Sequence, residues 1–569
     1  MYTASHAFLE ALQEAGVDYI FGNFGSDHPA LLEAIAEARA HGRPIPQVIT
    51  CPFEMVGLNA AQGYAQVSGK VQAMVIHVDS GTLTLGGAIH NVARSRTPVL
   101  IFAGLPPVTQ EGELKGSRNE FIMWLQDIPD QPGILRNYTK YEAQIRTGAN
   151  IKQMVLRALQ IASSDPKGPA YLTGAREVME EKTKPVKVSA SAFAPLKPAG
   201  LSEDAVAEIL SDLMAAKRPL IATSYVGRQP KAVAQLVRLC HRLGIGVYES
   251  CPSAMNYPQD DELYLGPQWN QPVQNQALAE ADFILVLDSD VPWIPSINKP
   301  SPRAVIRHVD VDPLKGDIPL WYIASAGSYT ADSLTALTQL NAALEHRTVD
   351  AAKVRARRTH WAKRHAERAQ KLAAAEAQPK GAITMPYLVS CLRRQGGPDA
   401  IYLSEGVTNF PAISDHLTRT EPGTFFTAGG GSLGWSGGAA IGAKLAAPDR
   451  DVIAITGDGS YMFGVPSSVH WMARQYGTPF LQIVLNNRGW NAPRFSALAV
   501  HPDGYASRAN TLDIAFDPPP DYAAIAAAAG GAYAAQVKTA EEVEDAIAKA
   551  LKVVREEKRS AVLDIWLPY

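Results

Sequence analysis

Two polar residues, Asp458 and Asn487, each follow an apolar run with the composition of a buried strand. Asp458 lies in AITGDGSYMF, and Asn487 ends the run FLQIVLNN. In an open parallel sheet, ligands collect at the carboxyl ends of the strands, so both side chains are expected to face one ligand. A carboxylate and an amide oxygen suit a hard cation such as Mg²⁺, which commonly binds phosphate oxygens as well. The alternative is that Asp458 is the polar corner of an Asp-Gly turn.

A single glutamate, Glu54, precedes an apolar helical pattern. It lies in CPFEMVGLNAAQGYAQVSGK, where Met55, Val56 and Leu58 are apolar. A lone glutamate on a helix is usually solvated, because burying an unpaired carboxylate is costly. This one lies at the start of a helix among apolar neighbours, so we expect it to be buried or at an interface.

A serine and a histidine lie at the ends of two other predicted strands. Ser26 belongs to FGNFGSDHPALLEA, and His77 belongs to VIHVDSGT. A histidine at the carboxyl end of a strand can give and take protons at neutral pH, since its ordinary pKa is about 6.5. A locally satisfied hydroxyl is the alternative for Ser26, and a structural role is the alternative for His77.

The elements that would position these residues form three units of alternating strands and helices. Short apolar runs bounded by Gly, Pro or Asp are separated by helix-like segments, which indicates parallel sheets covered by helices. A Lys/Pro/Ala/Ser-rich linker interrupts the pattern at residues 180–200. The basic stretch EHRTVDAAKVRARRTHWAKRHAER is interpreted as a solvated helix between domains rather than a nucleic-acid patch. The predicted fold class is α/β, with three doubly wound parallel-sheet domains (1–182, 200–345 and 383–569) and a helical linker at 346–382.

The composition is that of a soluble globular protein, with 46% hydrophobic and 19% charged residues. The net charge of −3 gives no field that would recruit nucleic acid or an anionic membrane. No apolar run approaches the ~18 residues that span a bilayer, and the amphipathic stretch MYTASHAFLEALQEAG is unlike a signal peptide. The four cysteines form neither a zinc pattern nor a disulfide framework. We therefore expect a cytoplasmic protein.

The Asp458 motif resembles that of thiamine diphosphate-dependent enzymes, in which GDGS is followed one strand later by Asn-Asn. The resemblance covers essentially the whole chain and follows the decarboxylase/acetolactate synthase branch, with pyrimidine-binding, central and diphosphate-binding domains in this order. It implies thiamine diphosphate and Mg²⁺ as cofactors. The Asp458 and Asn487 side chains and the Gly489 carbonyl would hold Mg²⁺, and Gly459 and Ser460 would lie against the diphosphate.

Two further segments carry the same resemblance. In AGGGSLGWSGGAAIGAKLAAPDR, the Gly431 carbonyl would receive the pyrimidine amino group, and Leu433 would wedge between the two rings of the cofactor. In the family, this wedge bends the cofactor into a V shape. The V shape brings the amino group close to the thiazolium carbon that must lose a proton, which is a proximity effect. Glu54, which precedes Gly-Tyr-Ala at residues 63–65, would hydrogen-bond the pyrimidine N1′ and promote this deprotonation.

The loop around Ser26 is similar to the FGNPGS loop of benzoylformate decarboxylases, which implies catalytic roles for Ser26 and His77. The second histidine of that family is not apparent, and DSDVPWIPS offers Pro292 and Trp293 instead. The His-His pair of pyruvate decarboxylases is also absent from the sequence, and Asp27-His28 occupies the loop. Where the wider family has Gly-Gln-His, the chain reads Gly406-Val407-Thr408.

The resemblance implies decarboxylation of a 2-oxo acid, carboligation with a second carbonyl compound, or both. Trp490, Asn491 and Phe463 are candidates to line the substrate pocket. The sites of this branch lie between subunits, so a homodimer or homotetramer is implied. An aromatic 2-oxo acid decarboxylase, an acyl-CoA lyase with ADP in the central domain and a non-catalytic paralogue are alternatives, and a structural FAD is left open.

Overall fold

A computed structural model describes residues 2–509 and 512–568 of the chain. The strands form three six-stranded sheets that follow one another along the chain, and their neighbouring strands are parallel. The predicted fold class, α/β with three doubly wound parallel sheets, is confirmed. Within the described residues, no helix is long and apolar enough to cross a membrane.

The first sheet has the strand order β2-β1-β3-β4-β6-β5. Its strands are β1 (Tyr19–Gly22), β2 (Gln47–Thr50), β3 (Gln72–Ile76), β4 (Val99–Leu105), β5 (Tyr141–Ile145) and β6 (Pro169–Ala175). Its helices are α1 (Ala4–Glu14), α2 (Pro29–Ala40), α3 (Glu54–Ser68), α4 (Val78–Leu83), α5 (Gly86–Arg94), α6 (Ile122–Leu125), α7 (Ile151–Ser163) and α8 (Arg176–Glu180). Alternate strand residues enter two separate cores, one containing Ile20 and Val75 and the other Phe21 and Met74, so both faces are covered.

The second sheet has the order β12-β11-β10-β7-β8-β9. Its strands are β7 (Pro219–Thr223), β8 (Gly246–Ser250), β9 (Tyr264–Gln268), β10 (Phe283–Leu287), β11 (Val305–Asp310) and β12 (Gly327–Thr330). The accompanying helices are α9 (Glu203–Ala215), α10 (Pro230–Leu243), α11 (Gln276–Glu280), α12 (Ser333–Glu345) and α13 (Ala351–Ala375).

The third sheet repeats the pattern of the first, with the order β14-β13-β15-β16-β18-β17. Its strands are β13 (Ile401–Glu405), β14 (Phe425–Thr427), β15 (Val452–Gly457), β16 (Leu481–Asn486), β17 (Tyr533–Val537) and β18 (Ala561–Trp566). Its helices are α14 (Met385–Gly396), α15 (Phe410–His416), α16 (Ser436–Ala446), α17 (Asp458–Phe463), α18 (Pro466–Gln475), α19 (Asn491–Val500), α20 (Tyr505–Ala509), α21 (Tyr522–Gly530) and α22 (Val543–Glu556).

The basic helix α13 is less solvated than expected. Trp361 is fully buried in the core of the second sheet, and the Arg357 guanidinium donates hydrogen bonds to the carbonyls of Leu243 (2.7 Å) and Leu213 (2.9 Å). Carbonyls at helix ends lack partners within their own helix, so a buried guanidinium beside them is satisfied without a carboxylate. One face of α13 is therefore part of the packed second domain.

Helices α3 and α16 join the first and third sheets at very close range. A Cβ atom added at Gly442 would lie 1.9 Å from the Ala60 carbonyl oxygen, and one added at Gly63 would lie 2.3 Å from the Ala439 carbonyl oxygen. The glycines therefore allow two helix backbones to touch directly. The Asn59 side chain on α3 also donates to the Gly434 carbonyl (3.0 Å), just before α16 begins.

We expect Gly442→Ala to destabilise the protein by about 2 kcal/mol or more, because the added methyl group meets backbone atoms that cannot rotate away. The matched control is Gly86→Ala in α5, where a Cβ has no atom within 4 Å, so the change in stability should stay within about 0.5 kcal/mol. Thermal unfolding of both variants measures the difference. An unfolding temperature for Gly442→Ala equal to that of the wild type would contradict the close helix contact.

Candidate active site

The strand β15 runs directly into α17, and Asp458 is the first residue of that helix. Its side chain is buried, with Oδ1 accepting a hydrogen bond from the Gly459 N–H (2.7 Å) and Oδ2 one from the Gly489 N–H (3.1 Å). Burial raises the pKa of Asp458, although these backbone donors oppose the effect. The carboxylate therefore joins the ends of β15 and β16, the two strands after which the sequence places Asp458 and Asn487.

Asn487 directly follows β16 and has a buried Oδ1 atom without a hydrogen-bond partner. Its neighbour Asn486 is different, because the Asn486 amide donates to Asp564 (2.9 Å). Leaving a buried acceptor unpaired costs about 1–3 kcal/mol, and a cation shared with Asp458 would remove that cost. The donor set fits Mg²⁺, which accepts one or two carboxylates and completes its shell with phosphate and water.

The turn after Asp458 is covered by an aromatic ring. A Cβ atom added at Gly459 would lie 2.4 Å from the Trp490 ring, so only glycine fits beneath it. Ser460 is buried in the same turn. Trp490 also packs edge-to-face on Phe516 at 5.2 Å. Of the other expected pocket residues, Phe463 lies at the end of α17 with 48% of its surface exposed, whereas Asn491 begins α19.

The glycine-rich loop before α16 carries Gly431 and Leu433. Gly431 is exposed, with no atom within 4 Å of the position of a Cβ, and Leu433 is half-buried. The loop is held from the first domain as well as the third, because the Asn91 side chain bonds both the N–H (3.2 Å) and the carbonyl (2.9 Å) of Ser432. The exposed Gly431 and the adjacent Leu433 therefore lie on an anchored loop.

Sequence reasoning missed Glu405, the last residue of β13. This buried carboxylate accepts hydrogen bonds from the backbone N–H groups of Gly434 (2.5 Å), Trp435 (3.2 Å) and Ser436 (2.8 Å). Burial raises the pKa of Glu405, and the three donors oppose it. An anion at the N-terminus of a helix is stabilised by the free N–H groups and the helix dipole, so Glu405 fixes the start of α16 immediately after Leu433.

Glu54 is the first residue of α3 and is buried, as expected. Its Oε1 accepts a hydrogen bond from the Asn23 amide (2.8 Å), and its Oε2 accepts one from the Thr84 hydroxyl (2.8 Å). Both partners belong to the first domain. Within the described part of one chain, the hydrogen bonds of Glu54 do not reach the loop of Gly431 or the residues around Asp458.

A buried aspartate in contact with two histidines lies beside Ser26. Asp27 Oδ1 lies 2.6 Å from His77 Nδ1 and 3.0 Å from His28 Nδ1. Burial alone would lower the pKa of His77, but the hydrogen bond and charge of Asp27 raise it. Burial would raise the pKa of Asp27, but the two histidines lower it well below its usual range. The Ser26 hydroxyl, by contrast, makes no hydrogen bond within residues 2–509 and 512–568.

In the sequence, Asp27 was identified only as part of the Asp27-His28 pair that replaces the His-His pair of pyruvate decarboxylases. The Asp-His dipeptide after Ser26 was the available signal, and the contact with His77 joins two loops 50 positions apart. The segment DVPW, which stands where benzoylformate decarboxylases have a second histidine, makes no hydrogen bond to Asp27 or His77 within the described residues of one chain. Pro292 and Trp293 are buried, and Trp293 packs in the core of the second domain.

Three family profiles match successive parts of the chain. They describe thiamine pyrophosphate enzymes: the N-terminal TPP binding domain at residues 2–134, the central domain at 206–319 and the C-terminal TPP binding domain at 406–565. The order is the one that the resemblance implied. Together the three profiles match well over half of the chain.

Curated relatives are similar over most of the sequence. The acetolactate synthase large subunit of Lactococcus lactis subsp. lactis (strain IL1403) is 26% identical over 491 residues, which cover 85% of this chain and 80% of the relative. The sulfoacetaldehyde acetyltransferase of Castellaniella defragrans is 25% identical over 587 residues, covering 99% of this chain and 93% of the relative.

Solved structures share the whole fold. A thiamine diphosphate-dependent 4-hydroxybenzoylformate decarboxylase from Rhodococcus jostii RHA1 has a TM-score of 0.80 at 21% identity, with 100% of this chain and 99% of that chain covered. A benzoylformate decarboxylase from Polynucleobacter necessarius has a TM-score of 0.79 at 19% identity, with the same coverage. At these identities the likeness concerns the fold alone.

We expect Asp27→Asn to lower the melting temperature more at about pH 6 than at about pH 9. Because the folded-state pKa of His77 is raised, the pair stabilises the fold fully below about pH 6.5, and this contribution declines as the pH rises through the folded-state pKa. Asp27 stays ionised throughout that range, because its own pKa is lowered.

The matched control is Asp79→Asn. Asp79 lies near His77 but is hydrogen-bonded to the Ser80 N–H (2.7 Å). Thermal unfolding across the pH range should show a small effect for this variant at every pH. A loss for Asp27→Asn that does not change with pH would mean that His77 carries no charge in the pair.

Proposed function

The chain belongs to the family of thiamine pyrophosphate enzymes, and on that premise we propose that it decarboxylates a 2-oxo acid. The product fragment is released as an aldehyde or joined to a second carbonyl compound. The observation that carries the proposal is the unpartnered, buried Oδ1 of Asn487 in the turn after β16, the turn whose Gly489 N–H donates to the Asp458 carboxylate. These two oxygens provide the half-built cation site that a cofactor with a diphosphate group requires.

The proposed cofactors are thiamine diphosphate and Mg²⁺. The side chains of Asp458 and Asn487 and the Gly489 carbonyl would hold the metal ion, and Gly459 and Ser460 would lie against the diphosphate. Gly431 and Leu433, on the loop anchored by Glu405, would contact the ring system. When bound, thiamine diphosphate supplies the electron sink that makes cleavage of a carbon–carbon bond beside a carbonyl possible.

Glu54 would hydrogen-bond the pyrimidine ring from a second subunit. Its carboxylate is held by Asn23 and Thr84, which fixes the direction of both oxygens before any cofactor binds. Because its hydrogen bonds stay inside the first domain, a homodimer or homotetramer with sites between subunits is proposed. The strongly exposed apolar side chains of Phe121 (76%) and Leu125 (74%) near this domain favour such an assembly.

The pair of Asp27 and His77 would move protons at the substrate. Asp27 holds the Nδ1 side of the ring, and the Gln126 side chain is a second hydrogen-bond partner of His77 that a reacting group would replace. The raised pKa favours a charged imidazole near neutral pH, which suits a proton donor or a partner for the carboxylate of a 2-oxo acid. The Ser26 hydroxyl is beside this pair and would bind the substrate carbonyl or carboxylate.

A second candidate is a simple aromatic 2-oxo acid decarboxylase. The positions of Ser26 and His77 after β1 and β3 favour it, together with the fold shared with two decarboxylases of the benzoylformate type. Carboligation is favoured instead by the acetolactate synthase relatives, which are similar over most of the sequence. Acetolactate formation and aromatic decarboxylation begin with the same loss of CO₂ but give different organic products. One assay that records both CO₂ and the organic products therefore separates them.

The experiment is a substrate panel with the purified protein, thiamine diphosphate and Mg²⁺. Pyruvate, benzoylformate and 4-hydroxybenzoylformate are supplied with and without an aldehyde acceptor, and both CO₂ and organic products are recorded. We expect CO₂ release that stops when the metal ion is chelated. An aldehyde alone would identify a decarboxylase, and a coupled product would identify a carboligase. A folded protein that binds the cofactor but releases no CO₂ from any of these acids would contradict the proposal.

We expect Glu54→Gln to reduce turnover by about 100-fold or more, because general acid–base contributions of this size are lost when a carboxylate becomes an amide. The amide keeps the shape of the side chain, so cofactor affinity should change little. The matched control is Glu33→Gln on the exposed face of α2, which should retain wild-type turnover. An undiminished rate of CO₂ release by Glu54→Gln would exclude the role assigned to Glu54.

A further inference from the structure

The second sheet has the strand order of a dinucleotide-binding fold. Numbered within the domain, its order is 6-5-4-1-2-3, and the strand order reverses between the neighbouring parallel strands β7 and β10. In such sheets a nucleotide binds at the carboxyl ends of the strands at this reversal point. This crevice is therefore where a structural FAD, or the ADP portion of a coenzyme A thioester, would be expected.

The turn after β7 lacks the features that bind a pyrophosphate. Residues 224–229 read SYVGRQ, with one glycine, Gly227, whose added Cβ would lie 1.9 Å from the Met255 carbonyl oxygen. The N–H groups of Ser224 (2.9 Å) and Tyr225 (3.1 Å) already donate to the Asp288 carbonyl across the crevice. Helix α10 then begins with Pro230, which has no N–H to offer a phosphate.

The acidic residue that would bind a ribose is also occupied. Glu249 near the end of β8 is buried, and its carboxylate accepts hydrogen bonds from the Asn256 amide (2.7 Å) and the Tyr264 hydroxyl (2.6 Å). Burial raises the pKa of Glu249. The carboxylate therefore serves the interior of the second domain rather than the crevice.

Side chains of the second domain fill the crevice itself. The Tyr225 hydroxyl lies 2.6 Å from an oxygen of Asp310 and 2.9 Å from one of Asp290. Lys315 Nζ lies 2.7 Å from each of the same two carboxylates, and its side chain is only 1% exposed. Buried charges persist only when they are paired and hydrogen-bonded, which this arrangement achieves.

The last member of the cluster, Arg96, comes from the first domain. It follows α5 and donates to Asp310 (2.9 Å) and Asp290 (3.1 Å). Its guanidinium lies 4.9 Å from the centre of the Tyr225 ring, where a cation is attracted to the aromatic face. Arg96 and Lys315 keep the pKa of both carboxyl groups below their usual value.

We infer that this crevice is an ionic lock between the first and second domains, formed by Arg96, Tyr225, Asp290, Asp310 and Lys315, and that it takes neither FAD nor an ADP group. The inference goes beyond the proposed function, since it concerns a different domain and its tests need no turnover. The lock also occupies the crevice in which an acyl-CoA lyase would be expected to bind the ADP portion of its substrate.

A cavity of about 390 Å³ lies beside the lock and is lined partly by basic residues. Three of these cations are already engaged by the protein. Arg94 donates to the Asp317 carbonyl (3.0 Å), Arg136 to Asp130 (2.7 Å), and Lys140 Nζ to the Ser164 carbonyl (2.5 Å). A dinucleotide would have to displace these contacts as well as the lock.

The binding test uses the purified full-length protein with thiamine diphosphate and Mg²⁺. We expect no flavin absorbance in the purified protein, and no heat of binding when FAD, ADP or coenzyme A is titrated to about 1 mM, a concentration at which even weak specific sites are occupied. Flavin bound in stoichiometric amount, or a micromolar dissociation constant for any of the three, would overturn the inference.

The lock itself is tested with Arg96→Met, which keeps the length of the side chain and removes its charge. Removing Arg96 takes away one of the two cations that hold Asp290 and Asp310 and leaves both carboxylates to Lys315. We therefore expect the melting temperature to fall by about 5 °C or more. Cleavage by protease within the linker at 181–200 should be faster by several-fold. The matched control is Arg39→Met, at an exposed arginine in the last turn of α2, which should match the wild type in both measurements.

If Arg96→Met does not fold, Arg96→Lys provides the same comparison. Lysine keeps the charge but loses the second hydrogen bond and the planar contact with Tyr225, so an intermediate melting temperature is expected. A melting temperature and a cleavage rate equal to those of the wild type in either variant would show that Arg96 does not lock the domains.

Discussion

The contact between α3 and α16 is the constraint on which the arrangement of the first and third domains depends. Glycines at both helices let the backbones touch, so the first and third domains pack at a fixed distance. Glu54 begins one of these helices, and the Gly431–Leu433 loop precedes the other. Side chains of α3 also hold that loop, since the Gln62 amide donates to the Ala428 carbonyl (3.0 Å). This packing therefore fixes where Glu54 and the Gly431 loop lie within one chain, and the proposed assembly would bring the Glu54 of one subunit to the loop of another.

Hydrogen bonding distinguishes Asn487 from the buried carboxylates Glu405 and Asp27 of the candidate site. Glu405 and Asp27 are buried carboxylates whose oxygens have partners, and each fixes a loop of the site. Asn487 differs, because its buried Oδ1 lacks a partner. An unpaired acceptor is expected where a ligand supplies the missing contact. In the crevice of the second domain, Arg96 and Lys315 are paired with Asp290 and Asp310, which is the reason that we assign this cluster a structural role.

The fold class was predictable because buried parallel strands read as apolar runs. The strands that the sequence did not predict, β5, β9, β12 and β17, lie at sheet edges and are partly exposed or interrupted. Asp458, Asn487 and Glu54 were identifiable because each follows or begins an element with a clear pattern. Asp27, Glu405 and Arg96 were not, since their partners lie 29 to 214 positions away in the chain. Such contacts depend on packing that no local pattern encodes.

The central claim is that Asp458 and Asn487 hold the metal ion of a bound thiamine diphosphate. The most direct measurement is a crystal structure of the protein with thiamine diphosphate and Mn²⁺ in place of Mg²⁺, with anomalous scattering used to locate the metal. We predict an anomalous peak about 2.0–2.3 Å from an oxygen of each side chain, with the diphosphate on its other side. A cofactor bound without metal at these two residues, or a peak elsewhere, would contradict the account.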